Sequence, residues 1–221
     1  MMKTYHKRRL PHIQPVGATF FVTFNLEGAI PKTELERLKQ ERDQALWEIE
    51  HTRDLDANEQ AQKAFMAKWL YFKRFDHWLD NPWHESPRWL GRPEVAKLVS
   101  DRLHEFNSIY YDLLAFCIMS NHVHVLFDFS VQLPKDGSMV DDKKYKQLWQ
   151  VIKLIRGATA TSANRILNRT GEPFWQEEYF DRYIRNPSHL GNAFRYTIMN
   201  PVKAGICNEW EHFPFTWAKP V

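Results

Sequence analysis

Apolar residues recur in two rhythms along this 221-residue chain. Over residues 18–26 (ATFFVTFNL), β-branched and aromatic side chains follow a Pro- and Gly-containing lead-in, which predicts a strand. Residues 110–119 (YYDLLAFCIM) and 122–129 predict two more, joined by Ser120-Asn121 into a hairpin with a polar tip. Residues 174–184 predict a fourth strand, at a sheet edge. Between these segments the period lengthens. Val95, Leu98, Val99 and Leu103 mark a helix over 94–106; Leu148, Val151, Ile152 and Ile155 mark one from 144 to about 167. The best-bounded helix follows Asn186. That residue is a fitting N-cap, Pro187 takes the favoured first position, and Pro201 predicts a stop after Asn200. Leu190, Ala193, Phe194 and Thr197 are its expected buried stripe.

The stretch between the first strand and residue 90 has a different character. Residues 34–53 are dense in Glu, Lys, Arg, Gln and Leu, which favour helix, and Pro31 can open it. Residues 60–79 carry Phe65, Trp69, Phe72 and Leu79 at near-helical spacing, and Pro82, Pro87 and Pro93 then break the chain. The order strand, helices, strand, strand, helix, strand, helix predicts an α+β fold. It is the split pattern of a ferredoxin-like or RNA-recognition-like antiparallel sheet with packed helices. We expect a single domain over 1–221 with a helical insertion at 30–90.

Composition narrows the class. The 43% hydrophobic and 14% aromatic content is that of a globular protein. No apolar run reaches the roughly 18 residues of a membrane helix, and no apolar segment directly follows the basic start, so neither membrane nor secretion is expected. Cys117 and Cys207 are the only cysteines, too few for a disulfide framework or a cysteine zinc site. The expected compartment is the cytoplasm. The net charge of +3 is modest, but its placement is uneven. Lys3, Lys7, Arg8 and Arg9 precede the first acid, Glu27. Lys143, Lys144, Lys146, Lys153, Arg156, Arg165 and Arg169 form a second acid-free block. Such blocks suit a phosphate backbone, or else form solvated helix faces.

The chemistry concentrates at His122-Val123-His124. On a strand the two imidazoles share a face and can ligate one divalent metal, while Val123, Val125, Phe127 and Phe129 fill the other. Alone, the pattern is more often structural. On the last helix Tyr196 and Asn200 lie four residues apart, on one face flanking the apolar stripe. A metal on two histidines and an amide oxygen can polarise a phosphodiester. A tyrosine can then attack and keep the cut strand as a phosphotyrosine. Tyr179 and Tyr183, near Trp175, are rival tyrosines, and Tyr196 alone pairs with an amide at helical spacing. Gln176, Asp181, Arg182, Arg185 and Lys203 face the site, the DNA or only solvent; Trp149 and Trp175 stack on bases or pack in the core. Cys117 reads as a core residue.

These segments resemble a known family. His122-Val-His124 after Ser-Asn, residues 174–185 (FWQEEYFDRYIR), residues 196–205 (YTIMNPVKAG) and the opening 8–23 (RRLPHIQPVGATFFVT) are similar to the single-tyrosine HUH transposases. The nearest branch is the REP-associated tyrosine transposases, and the likeness covers about 5–27 and 94–217. The resemblance implies the HUH endonuclease fold. It also implies a single-stranded DNA nuclease and strand transferase acting at hairpin-bearing ends, REP-like or at a transposon end. Carried over, Tyr196 is the nucleophile. His122, His124 and Asn200 hold Mg²⁺ or Mn²⁺, Asn200 standing where insertion-sequence members usually have Gln. Lys7, Arg8, Arg9, Lys153, Arg156, Arg182, Arg185 and Lys203 are the expected DNA contacts. A cytoplasmic, nucleoid-associated monomer or homodimer is expected. The alternatives are a non-catalytic DNA- or RNA-hairpin-binding protein of the same fold, and a metallophosphodiesterase that uses water.

Overall fold

A computed structural model describes residues 5–7 and 11–220. The chain divides into two compact units, Met1–Glu27 with Arg88–Val221, and Gly28–Pro87. The smaller unit carries α1 (Lys32–His51) and α2 (Ala57–Asp80). A capping box opens α2: Asp56 accepts from the Asn58 and Glu59 amides, and Glu59 accepts from the Asp56 amide. Leu35, Leu38, Phe72, Phe75 and Leu79 are among its buried residues, and the buried Arg42 guanidinium lies 4.7 Å from the Tyr71 ring centroid.

The larger unit begins with a two-stranded ribbon, β1 (Tyr5–Lys7) against β2 (Pro11–Ile13). Its main sheet contains β3 (Thr19–Asn25), β4 (Asp112–Ile118), β5 (His122–Asp128), β6 (Phe180–Tyr183) and β7 (Thr216–Ala218). The helices are α3 (Pro93–Glu105), α4 (Leu148–Ile166), α5 (Pro187–Ile198) and α6 (Asn200–Lys203). The sheet order is β6-β3-β5-β4-β7, with every pair antiparallel. Counted from β3, that places the fourth strand beside the first, then the third and second, with helices α3 and α4 as the two crossovers. This is the expected ferredoxin-like α+β layout, extended by one edge strand. β7 escaped the sequence reading because three residues are too few to show a period.

Residues directly opposite in a ladder point to the same face. On one face β3 contributes Phe20, Val22 and Phe24, opposite Phe127, Val125 and Val123 of β5. β4 adds Leu113, Phe116 and Ile118. All nine are buried, each worth about 1.5–3 kcal/mol of transfer free energy. Here α3 packs through His104 against Phe116, and α4 through Trp175, whose ring meets Phe24 edge-on and whose N–H donates to Thr159. The other face carries Phe21, Thr23 and Asn25 from β3, His122, His124 and Leu126 from β5, and Cys117 from β4. It is covered by α5, which contacts β4 and β5.

Three boundaries differ from expectation. Helix α4 starts at Leu148, not near 144, because Gln147 and Gln150 form a capping box there. Upstream, Gln132 holds the Lys146 backbone from both sides, and the Tyr145 hydroxyl accepts from the amide of Gly17, whose φ of +70° turns the chain into β3. Lys143, Lys144 and Lys146 are therefore not on a helix. The fourth strand is shorter than 174–184: Phe174–Gln176 only touch β3's end, through Glu27 to Phe174 and Gln176 to Asn25 backbone bonds. Helix α5 ends at Ile198. Pro201 lacks the N–H that would reach the Thr197 carbonyl, so Asn200 opens a separate turn, α6. Of the expected stripe on α5 only Thr197 is fully buried; Leu190, Ala193 and Phe194 are half-buried.

Candidate metal and nucleophile site

The hairpin turn positions the histidines. Met119 donates to the His122 carbonyl across Ser120-Asn121, which fixes the register of β4 against β5. Alternation then sends His122 and His124 to the same face, both fully buried. Their Nε2 atoms lie 3.1 Å apart. Two imidazole lone pairs repel at that distance, so either a proton or a cation must sit between them.

The far side of each ring is held. His122 Nδ1 is 2.7 Å from Asn121 Oδ1; with that oxygen accepting, Nδ1 carries the hydrogen and Nε2 keeps its lone pair. His124 Nδ1 is 2.8 Å from the Thr23 hydroxyl, its cross-strand partner. Phe21 stacks on the His124 ring at 5.6 Å. Neither Thr23 nor Phe21 was singled out from the sequence. Only the β3–β5 register reveals them.

Tyr196 enters from α5. Its ring lies edge-on to His124 at 5.3 Å and to Phe21 at 5.8 Å, and it is half-buried. Lys203, exposed on α6, places Nζ 5.4 Å from the Tyr196 ring centroid. Asn200 differs from its expected place flanking the core. The break at Met199 turns it inward, to 1% exposure. Among the described residues neither Oδ1 nor Nδ2 of Asn200 has a hydrogen-bond partner. Asn25, opposite His122 in the ladder, likewise has a buried Oδ1 without a partner there. A buried, unmet amide costs about 1–3 kcal/mol. An unmet amide oxygen beside a convergent histidine pair, as Asn25 offers, is the kind of donor a hard divalent cation would satisfy, and Asn200 carries a second unmet amide oxygen on α6. No group of three or more His, Cys, Asp or Glu that could hold a metal ion occurs among the described residues.

The rival tyrosines are otherwise occupied. The buried Tyr179 hydroxyl accepts from Gln14, which also donates to Asp181. Tyr183 points to the apolar face opposite Phe20 and lies under the Arg185 guanidinium at 5.0 Å. Trp175 is core, and so is Cys117, which accepts from the Thr216 hydroxyl.

The expected DNA contacts separate into groups. Arg182 projects from β6 on the face of Phe21, and Arg185 precedes the N-cap of α5, where Asn186 accepts from the His189 amide. Burial first, then Arg185, pulls the Arg182 guanidinium below its ordinary value. Burial, then Arg182 and Arg185, push the His189 imidazole down to about 4. Its Nδ1 accepts from the Arg185 amide. Sequence reading gave no signal for His189. Lys153 is exposed on α4. Arg156 instead donates to the carbonyls of Gln176 and Glu177, tying that segment to α4. Arg8 and Arg9 lie outside the described residues, and Lys7 is placed by its backbone alone, in β1. No helix among the described residues is long and apolar enough to cross a membrane.

No model of a known protein family matches the chain. A Haemophilus influenzae protein named "Putative REP-associated tyrosine transposase" is 26% identical over 127 residues, spanning 53% of this chain and 69% of that protein. A solved structure described as a REP-associated tyrosine transposase bound to a REP hairpin aligns with 96% of this chain and 81% of its own, at 14% identity and a TM-score of 0.42.

Proposed function

We propose, with similarity to the REP-associated tyrosine transposases as the premise, that this chain is a metal-dependent single-stranded DNA endonuclease and strand transferase acting beside a DNA hairpin. The observation that carries the reading is the meeting of three side chains on one buried sheet face. The Nε2 atoms of His122 and His124 converge at 3.1 Å, and the Tyr196 ring lies against His124.

His122 and His124 would hold Mg²⁺ or Mn²⁺, with the Asn200 amide oxygen as a third ligand. Bound there, the cation supplies Lewis acidity to a scissile phosphate. Asn121 and Thr23 fix the imidazole orientations. Phe21 and His124 brace the Tyr196 ring edge-on beside the histidine pair. The phenolic oxygen of Tyr196 bonds to phosphorus as the bond to the 3′ oxygen breaks, and the phenolic hydrogen ends on that 3′ oxygen. The fragment downstream of the cut stays on the enzyme through its 5′ phosphate, as a phosphotyrosine. That linkage conserves the phosphodiester bond energy, so a new 3′ hydroxyl can reverse the step elsewhere. Lys203, Arg182 and Arg185 supply positive charge to the flanking phosphates.

The test is covalent trapping. The protein is incubated with Mn²⁺ and single-stranded DNA from the hairpin-bearing flanks of its own gene, then run on a denaturing gel. We expect a protein–DNA adduct that Tyr196→Phe abolishes while DNA binding is retained. An undiminished adduct in Tyr196→Phe sinks the nucleophile assignment. DNA binding without any adduct in the unaltered protein favours the non-catalytic hairpin binder, and cleavage that survives EDTA removes the metal.

A further inference from the structure

Away from the histidine pair, α4 and the segment before β6 enclose a cleft of ≈ 400 Å³, within the range of about 300–1,000 Å³ typical of small-molecule sites. Trp149, Ile152 and Phe174 line it with apolar surface, and Lys153 stands exposed beside them. The Trp149 N–H is already donated to Gln147 at 2.7 Å, so its ring presents a fixed face. Two observations say that the cleft is built for an occupant.

The first is Glu178. It lines the cleft at 7% exposure, and among the described residues its Oε1 is buried without a hydrogen-bond partner. An acceptor removed from water and left unmet is costly unless a ligand meets it. The segment that carries it is fixed, because Arg156 donates to the carbonyls of the two preceding residues, Gln176 and Glu177. The second is Gly157. It sits in the interior of α4, where glycine costs about 1 kcal/mol against alanine. A Cβ built there would have no atom within 4 Å. Nothing inside the protein demands a glycine, yet its missing side chain leaves the cleft wall open.

The half-exposed Trp149 ring, an unmet acceptor and a cation at the mouth match one nucleotide of a single strand. The acceptor selects the base. A carboxyl group offers two adjacent oxygens, and guanine alone presents two adjacent N–H donors, N1–H and the 2-amino group, on its pairing edge. Cytosine and adenine set an acceptor beside their amino group, and thymine flanks its single N–H with carbonyl oxygens. We propose that this cleft is a base-reading pocket for an unpaired guanine, with Glu178 accepting from its pairing edge and Lys153 meeting its phosphate. The inference rests on the single-stranded DNA reading above and adds to it a second recognition site, separate from the histidine pair.

The test is fluorescence anisotropy in EDTA, where no metal-dependent chemistry runs. A labelled oligothymidine is compared with the same strand carrying one central dG or one central deoxyinosine, which lacks the 2-amino group. The dG strand should bind about tenfold tighter, the discrimination of one good bidentate base contact, and inosine should lose most of that gain. Glu178→Gln and Gly157→Leu should each bring dG down to thymidine affinity. Gly157→Leu fills the cleft with a better helix former, so an unchanged or raised melting temperature shows that its fold is intact. Equal affinity for all three strands in the unaltered protein overturns the proposal, as does a guanine preference that survives both substitutions. No binding to any single strand would also sink the DNA reading, whereas a guanine preference without a tyrosine adduct fails the strand-transfer chemistry alone.

Discussion

The two faces of the central sheet share strands but obey different rules. On one, Phe20, Val22 and Phe24 meet Val123, Val125 and Phe127, and burial is its own reward. On the other, the same strands turn Thr23, Asn25, His122 and His124 inward. That face is no more exposed, yet it holds two imidazoles with Nε2 atoms 3.1 Å apart and the Asn25 amide oxygen without a partner among the described residues, and the buried Asn200 amide of α6 is likewise unmet. One side is optimised for stability alone. The other carries a local energetic deficit that a ligand can relieve, which is how sites built for charge are expected to look.

Substitutions on the two faces should therefore have opposite signs. Phe127→Ala should cost about 3–5 kcal/mol in urea unfolding, as a large core truncation does. Asn200→Leu, near-isosteric on the polar face, should raise the stability of the EDTA-treated protein by about 1–3 kcal/mol by removing an unmet buried amide. It should weaken Mn²⁺ binding in calorimetry at the same time. If Asn200→Leu destabilises the metal-free protein as Phe127→Ala does, the two faces do not differ in the way argued.

A gentler probe acts through orientation. Thr23→Val keeps the shape beside His124 and removes only the hydroxyl at 2.8 Å from Nδ1. Losing such a supporting partner typically lowers metal affinity by about 10–100-fold. Calorimetric titration with Mn²⁺ should show that loss with little change in unfolding; unchanged affinity would make Thr23 a packing residue.

The smallest expected effect lies at the start of α5. His189 is held down at about 4 by burial and by Arg182 and Arg185, below the roughly 6.5 of a free imidazole. The unfolded chain therefore binds the extra proton first. The stability this group contributes is fully present above about pH 6.5 and is lost as pH falls toward 4. Phosphates that pair with the two arginines should raise the His189 value. Two-dimensional NMR of the ring protons, with and without single-stranded DNA, checks this, and a titration unmoved by DNA would place the strand elsewhere.

What the sequence revealed follows from how local each feature is. The shared face of His122 and His124 needs only a two-residue period, and the start of α5 needs only Asn186 and Pro187. The split order of strands and helices predicts the ferredoxin-like sheet, because unthreaded connections of fixed hand leave few topologies. Features set by register or by distant hydrogen bonds were hidden. Thr23 meets His124 across 101 residues, and the start of α4 depends on Gln132 reaching Lys146. Asn200 could be placed beside Tyr196 by counting, but its burial depends on the break before Pro201. Glu178 looked like any surface acid in a charged stretch, and only its enclosure against α4 distinguishes it.

In the proposed site His122 and His124 jointly hold one divalent cation. Electron paramagnetic resonance of Mn²⁺ bound to the protein reads it directly, through the nuclear spins of coordinated imidazole nitrogens. We expect one bound Mn²⁺ per chain with nitrogen couplings that vanish in the His122→Ala, His124→Ala double variant. Mn²⁺ bound without nitrogen couplings, or couplings unchanged in that variant, would contradict it.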